Sequence, residues 1–270
     1  MIRAAVLGKP VHHSLSPLVH GLIYRELGLE HHYGTFEVDE AEAMKLIEES
    51  FSDPKVQWNG FSLTMPLKEV GFSLPLAIDS RAFEARSINT ITPGGSFNTD
   101  ISGLERVLRV EGIESKSAIV LGSGATARST LIALDSLHSV EQVTLFRRSD
   151  HRDAELPLKR RVPVSVKPLS DLGEAVLGRE SLIVSTLPGD SQIEISKALS
   201  GFSGTLVDFS YSPWPSRLAV VVKGVVISGL SILVSQAVDQ AKIFSGADFD
   251  ADEMYRKVLL STIESLADSG

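Results

Sequence analysis

The sequence predicts an α/β fold divided into two domains, and three features carry that expectation. Residues 117–134 read as a buried strand, a glycine turn and an apolar-periodic helix, which is how a dinucleotide-binding βαβ unit of Rossmann type opens. Before it, about a hundred residues show their own strand–helix alternation with mixed turns, an α/β unit in its own right. After the last strand of the second unit come two helical stretches, so the chain is expected to cross back and complete the first. The expected division is 1–103 with 235–270 as one domain and 104–234 as the other.

Residues 2–7 read as a buried strand closed by Gly8-Lys9-Pro10. In the segment Val11-His12-His13-Ser14-Leu15-Ser16-Pro17, Pro17 suits the first helical position and Ser16 the N-cap. Val19, Leu22, Ile23 and Leu27 then recur at helical spacing. Ser14 has no capping duty in that register. Its hydroxyl and that of Ser16 therefore bracket a helix N-terminus and suit a carboxylate, against the plainer reading of Ser16 as a cap alone.

A second strand is expected over 33–38, a helix over 40–51 with Met44, Ile47 and Phe51 on one face, and a third strand over 58–64. That strand runs into Met65-Pro66-Leu67-Lys68, where Pro66 starts another helix and places Lys68 in its first turn. A cation there opposes the helix dipole, which makes Lys68 a functional candidate beside the commoner reading of a solvent-facing lysine. Residues 87–91 form a short strand, Pro93-Gly94-Gly95 a turn, and the partner strand carries Phe97-Asn98-Thr99-Asp100. Asp100 precedes a helix over 104–110, where an aspartate is ordinarily an N-cap.

In the second unit Gly122 permits the tight turn after its first strand, and Gly124 removes a Cβ that would hold the backbone away from a pyrophosphate. Backbone N–H groups at the helix start, with the helix dipole behind them, can then receive phosphates. Ala125 stands where a third glycine is usual and still allows close helix–strand packing. The next strand, 143–146, ends in Arg147-Arg148-Ser149, about 20 residues or slightly more past the glycines, where a dinucleotide ribose lies. A carboxylate there would favour NAD. Two guanidiniums and a hydroxyl suit the 2′-phosphate of NADP, against the bland reading of a solvated basic turn.

Further strands are expected over 162–166, 182–185, 205–208 and 225–227, the first three alternating with helical stretches. Ser185-Thr186-Leu187-Pro188-Gly189 and the segment from Asp208 to Pro215 each follow a strand at the carboxyl edge, where doubly wound sheets hold ligands; Tyr211 lies there. A helix then opens at Gly229 and runs towards Phe244, with Leu233, Ala237, Ala241 and Phe244 inward. Gln236 falls beside that apolar face, where an amide needs a partner. The final helix covers 252–266.

A chain of 270 residues, 43% hydrophobic, can bury a core in each of two domains. Cysteine is absent, which excludes a disulfide scaffold, cysteine-ligated zinc and thiol catalysis and suits a reducing cytoplasm; no metal is expected. Net charge is −8 with no long basic run outside Lys159-Arg160-Arg161, so no nucleic-acid groove is expected. The apolar run after Arg3 is too short for a signal peptide, and 218–233 is too short and interrupted to span a bilayer. The expectation is a cytoplasmic monomer or homodimer acting on a small molecule, without membrane or nucleic-acid partners.

Together, these separated pieces resemble the shikimate dehydrogenase family along residues 8–246. The likeness is carried by the Gly8 to Pro17 segment, Ser62-Leu63-Thr64-Met65-Pro66-Leu67-Lys68, Ile88-Asn89-Thr90, Asn98-Thr99-Asp100, Gly122 to Ala127, Asp208 to Pro213 and Gly229 to Gln236. It implies an N-terminal substrate-binding domain, a Rossmann domain for NADP, and reversible reduction of 3-dehydroshikimate to shikimate on the route to chorismate and aromatic amino acids. By resemblance Ser14 and Ser16 hold the shikimate carboxylate, and Thr64, Asn89, Tyr211 and Gln236 line the rest of the pocket. Lys68 and Asp100 match the catalytic pair, the lysine handling the proton and the aspartate positioning it. Gly122, Ser123, Gly124, Ala125 and Thr126 match the phosphate turn. Arg147, Arg148 and Ser149 occupy the place of an Asn-Arg-Thr that reads the 2′-phosphate, and Phe209 and Gly229 fall where the family touches nucleotide or substrate.

The sequence departs from the family pattern at Ser62 for Asn, Arg86-Ser87 for Gly-Ala, Gly21 for Asn and Ser231-Ile232 for a frequent methionine. The Ser62 change is expected to loosen a polar contact near the substrate. Three other readings compete: an NAD-preferring quinate/shikimate dehydrogenase, another NADP reductase of similar plan, and a nucleotide-binding regulatory module without turnover. The last has no need of a Lys68 and Asp100 pair.

Overall fold

A computed structural model describes residues 1–53, 55–174 and 181–268. The chain forms two compact units, Met1–Gly103 with Leu233–Gly270, and Leu104–Ile232.

The first unit contains β1 (Ile2–Gly8), α1 (Ser16–Glu26), β2 (His31–Glu37), α2 (Glu40–Ser52), β3 (Gly60–Leu63), α3 (Ser80–Ala85), β4 (Thr90–Thr92), β5 (Gly95–Phe97) and the start of α4 (Thr99–Val110). Its five-stranded sheet has the order β2-β1-β3-β4-β5. The first three strands are parallel, and β4 and β5 add on antiparallel. β1 is an almost unbroken apolar run because it lies at the sheet's interior with neighbours on both edges. Leu7, Phe61, Leu63, Leu67, Ile88 and Ile91 share one core cluster with Ala43 and Ile47 of α2. Asp39 and Glu42 start α2 with a reciprocal capping box.

The second unit holds β6 (Ser117–Leu121), α5 (Ala125–Ser136), β7 (Gln142–Arg147), β8 (Val164–Pro168), β9 (Leu182–Ser185), β10 (Thr205–Asp208), α6 (Arg217–Val221) and β11 (Val225–Ser228). All six strands are parallel in the order β11-β10-β9-β6-β7-β8. Counted from β6, this is the doubly wound order 3-2-1-4-5-6, with the direction of winding reversing between β6 and β9. α7 (Gly229–Ser245) begins in this unit, and its later turns together with α8 (Ala251–Ala267) belong to the first.

Several local expectations need correction. The segment after Pro66 is a 3-10 helix, Leu67–Ser73, not an α-helix. The Lys68 carbonyl accepts from the Ile88 N–H at 2.7 Å, and Gly71 weakens helical propensity within the run. The same bond commits Ile88 outside the sheet, so the expected strand over 87–91 starts only at Thr90. α1 begins at Ser16 with Leu15 as N-cap, and Ser14, which the sequence left without a cap role, accepts the Ser16 N–H at 3.2 Å. α4 begins at Thr99, so Asp100 stands inside its first turn and is not the cap. Apart from α5, the described crossovers of the second unit include only short helices such as Gly189–Gln192 and α6.

No helix among the described residues is long and apolar enough to cross a membrane. Nor do they contain a cluster of three or more His, Asp or Glu groups that could hold a metal ion.

Candidate active site

The residues that meet in the first unit are polar groups from the 3-10 helix Leu67–Ser73, the residue before β4, the first turn of α4 and the body of α7. Asn98 accepts the Asp100 backbone N–H at 3.1 Å, which takes over the capping of α4 and releases the Asp100 carboxylate. One carboxylate oxygen, Oδ2, pairs with the Lys68 ammonium; the other, Oδ1, accepts from Asn89 Nδ2 at 2.9 Å. The pair is largely withdrawn from water, with Lys68 at 17% and Asp100 at 8% side-chain exposure. Both neighbours of this carboxylate are donors, so an ionised acid is the group that satisfies them.

Asn89 is the junction. Its Oδ1 accepts from the Thr99 N–H and the Thr90 hydroxyl, each at 2.8 Å, and its Nδ2 also reaches Thr99 Oγ1 at 2.9 Å and Gln236 Oε1 at 3.2 Å. Gln236 thus finds the partner that its position beside an apolar face demanded, and it anchors its own amide N–H on the Leu233 carbonyl at 2.9 Å. The approach of α7 to α4 depends on Gly103, where a Cβ would stand 3.0 Å from the Gln236 backbone nitrogen. Thr64 follows β3 half-buried, with its methyl filling the space that a Cβ on Gly8 would need. Ser14 and Ser16 lie at the start of α1, the first half-buried and the second buried.

Ser62 is not loose. Its hydroxyl donates to Gln240 Oε1 at 2.8 Å and meets the Tyr33 hydroxyl at 2.6 Å. The departure at Arg86 also has a visible cost. Arg86 ends α3 at φ 46°, a left-handed cap that favours glycine and strains other residues by about 1–2 kcal/mol.

In the second unit Gly122 leaves β6 at φ +114°, and a Cβ there would lie 2.5 Å from Thr186 Oγ1. Thr186, at the end of β9, donates both its N–H and its hydroxyl to the Leu121 carbonyl, joining the two strands on either side of the switch point. Gly124 is the N-cap of α5 with no side chain to offer, and a Cβ on it would meet nothing within 4 Å. Ser123, Ala125 and Thr126 complete this half-buried turn. The open, side-chain-free start of a twelve-residue helix after a parallel strand fits a dinucleotide pyrophosphate.

At the end of β7, Arg147 is already engaged. Its Nη2 donates to Asp153 Oδ2 at 2.6 Å, with Nε 2.5 Å from the other oxygen. Arg148 is exposed beside Glu194 at 3.6 Å, on a cavity of about 450 Å³ lined also by Leu169, Leu172 and Ile195. Ser149 bonds His151 at 2.5 Å. Phe209 and Tyr211 follow β10 on a loop held by the buried Asp208, which accepts from Ser216, Gln192 and the Ser210 N–H. Burial raises the pKa of Asp208, and these hydrogen bonds oppose the rise. Gly229 packs against that loop, where a Cβ would stand 2.2 Å from the Phe209 carbonyl oxygen.

Known proteins bear on this pair of sites. A family model for the shikimate dehydrogenase substrate binding domain matches residues 6–91. The crystal structure of Mycobacterium tuberculosis shikimate dehydrogenase is 30% identical and superposes with a TM-score of 0.82, over 97% of this chain and 100% of its own. The chain belongs to the shikimate dehydrogenase family. Another shikimate dehydrogenase, the NADP(+) enzyme of Xylella fastidiosa strain 9a5c, is 29% identical over 94% of each chain. The shikimate 5-dehydrogenase of Thermus thermophilus, solved in complex with NADP(H) and shikimate, is 27% identical with a TM-score of 0.73, over 96% of this chain and 100% of its own. The chain also spans 16% of the length of the pentafunctional AROM polypeptide of Candida glabrata, at 27% identity.

Among the family's expected site residues, Lys68, Asp100, Asn89 and Gln236 form one connected array in the first unit. Tyr211, Phe209, Gly229, the glycine turn and the Arg147 to Ser149 segment all belong to the second. Sequence reasoning missed Gln240 and the role of Thr99. Gln240 carried a usable signal, since it repeats Gln236 one helical turn later on a face that is otherwise apolar.

Proposed function

We propose that this chain catalyses the reversible, NADP-dependent reduction of 3-dehydroshikimate to shikimate. The observation that carries the reading is the Lys68–Asp100–Asn89–Gln236 array, a charged pair held by the Asn89 amide, which is in turn bonded to Gln236, in a largely dry setting within a chain of this family. The nicotinamide, when bound, supplies the hydride. The chain's own work is then to orient the ring and to move one proton.

In the reducing direction the ketone oxygen takes a proton from Lys68 Nζ as it becomes a hydroxyl, and in the oxidising direction the amine takes it back. Asp100 keeps the ammonium aimed, and Asn89 keeps Asp100 from rotating. Ser14 and Ser16 offer hydroxyls at the start of α1 for the substrate carboxylate, and Thr64, Tyr211 and Gln236 offer groups for its hydroxyls. Gly122 to Thr126 would hold the pyrophosphate, Arg147, Arg148 and Ser149 would hold the 2′-phosphate, and Phe209 and Gly229 would complete the nucleotide side. The Thermus thermophilus relative solved with NADP(H) and shikimate supports this pairing of ligands.

The test is direct. Purified protein mixed with shikimate and NADP+ should produce reduced nicotinamide absorbance, faster than with NAD+; absence of turnover with shikimate and either cofactor would overturn the reading.

One observation favours a looser cofactor choice. The Arg147 guanidinium is spent on Asp153 in a close, half-buried pair, whereas Arg148 meets Glu194 only in an exposed pair at 3.6 Å. Asp153→Asn should therefore tighten NADP+ about tenfold, equivalent to about 1.4 kcal/mol, while leaving NAD+ binding unchanged. Fluorescence titration with each cofactor checks it, and an unchanged NADP+/NAD+ ratio would show that Arg147 takes no part. Preference for NAD+ and quinate in the unmodified protein would support the quinate/shikimate alternative.

A further inference from the structure

Behind the Lys68–Asp100 pair lies a second polar layer whose hydrogen-bond directions can all be worked out. Its hub is Gln240, 1% exposed, whose Nε2 donates to the Asn89 backbone oxygen and to Thr90 Oγ1, each at 3.0 Å. Its Oε1 faces Ser62 Oγ at 2.8 Å and His20 Nε2 at 3.1 Å. The amide has only this orientation available. A backbone carbonyl can only accept, so turning the amide over would set oxygen against oxygen at Asn89.

Every neighbouring proton then has an address. An amide oxygen only accepts, so His20 carries its proton on Nε2, and its Nδ1 accepts from the Tyr24 hydroxyl at 3.3 Å. The single proton of Ser62 goes to Gln240, so Tyr33 must donate to Ser62 Oγ. Thr90 receives from Gln240 and spends its own proton on Asn89 Oδ1 at 2.8 Å. With Oδ1 filled by Thr90 and by the Thr99 N–H, the Asn89 amide must present its N–H side to Asp100. The layer is dry, His20 and Thr90 being 0% exposed, and the imidazole is stacked on Tyr33 at 4.0 Å between centroids. Water therefore does not replace a bond that is removed.

We propose that Gln240 is a positioning residue for the Lys68–Asp100 pair. By holding the backbone oxygen of Asn89 and filling the acceptor side of the Thr90 hydroxyl, it fixes the Asn89 backbone and leaves the Thr90 proton for Asn89 Oδ1, which with the Thr99 N–H holds the N–H side of that amide towards Asp100. This rests on the proposed role of Lys68 and Asp100 in the reaction. It also accounts for Ser62: the short hydroxyl is a proton donor to Gln240.

The test uses the full chain. Gln240→Met keeps length and apolar volume but donates no hydrogen bond and accepts only weakly. It is expected to lower kcat for shikimate oxidation about 10- to 100-fold, with the KM for NADP+ unchanged. In an Asn89→Ala background the same substitution should cost less than about twofold, because its effect passes through Asn89. Additive losses, or a kcat within about twofold of the unmodified protein, would overturn the proposal. A reading independent of turnover is the side-chain amide resonance of Asn89 in a 1H–15N spectrum, which should move in Gln240→Met; an unmoved resonance counts against Gln240 even if shikimate proves not to be the substrate. Should Gln240→Met fail to fold, Ser62→Ala removes one donor from the hub and should shift the same resonance.

Discussion

Lys68→Ala and Asp100→Asn are each expected to lower shikimate turnover by about 10²- to 10⁴-fold while NADP+ binding persists. The two losses have different physical origins. Without Lys68 no ammonium faces the substrate oxygen, and Asp100 keeps only the Asn89 amide as a partner for a carboxylate that is 8% exposed. Without the acid the geometry fails instead. Lys68 and Asn89 both donate, and an asparagine at position 100 has one accepting oxygen, so its own NH2 must oppose one of them. Breaking a buried pair by removing one member costs about 3–5 kcal/mol, so both variants should also unfold at lower temperature. The check is kcat at saturating substrates beside a fluorescence Kd for NADP+. Near-normal turnover in both variants would remove the pair from the chemistry.

The second large effect is on stability in acid. His20 is wholly buried, and burial lowers its pKa from 6.5 to about 3; the Gln240 bond opposes this and the charge of His31 adds to it. The folded imidazole is thus neutral while the unfolded one protonates below pH 6.5. Between those values the unfolded chain binds one more proton, so stability rises with pH and is lost as pH falls. The slope from this single group is about 1.4 kcal/mol per pH unit, on the order of 5 kcal/mol across the window. Above pH 6.5 the group contributes no pH dependence. His20→Gln, which does not titrate, should flatten the urea midpoint against pH by that slope between about pH 6 and 4. Identical pH profiles in the two proteins would mean that the imidazole is reached by protons without unfolding.

The pieces of the fold that were legible in the sequence are those whose cause is local. β9 and β10 fall at residues 182–185 and 205–208 as expected, because short apolar runs bounded by turn residues have one reading in a parallel sheet. The glycine turn and α5 were equally plain, since Gly122 answers to a backbone angle and the helix to its own periodicity. Lys68, Asp100, Asn89 and Gln236 were nameable one by one from their motifs. Contacts across the chain decided what remained. The Ile88 N–H on the Lys68 carbonyl made a 3-10 turn where an α-helix was expected, and Asn98 took the cap that an aspartate at position 100 would ordinarily fill. Asp153 claimed Arg147, and Gln240 gathered His20, Ser62, Asn89 and Thr90 from four other elements and connections. A backbone preference is a property of a few neighbouring residues and can be seen in their order. The direction of a buried hydrogen bond depends on which donors and acceptors arrive from distant segments, and only folding brings those together.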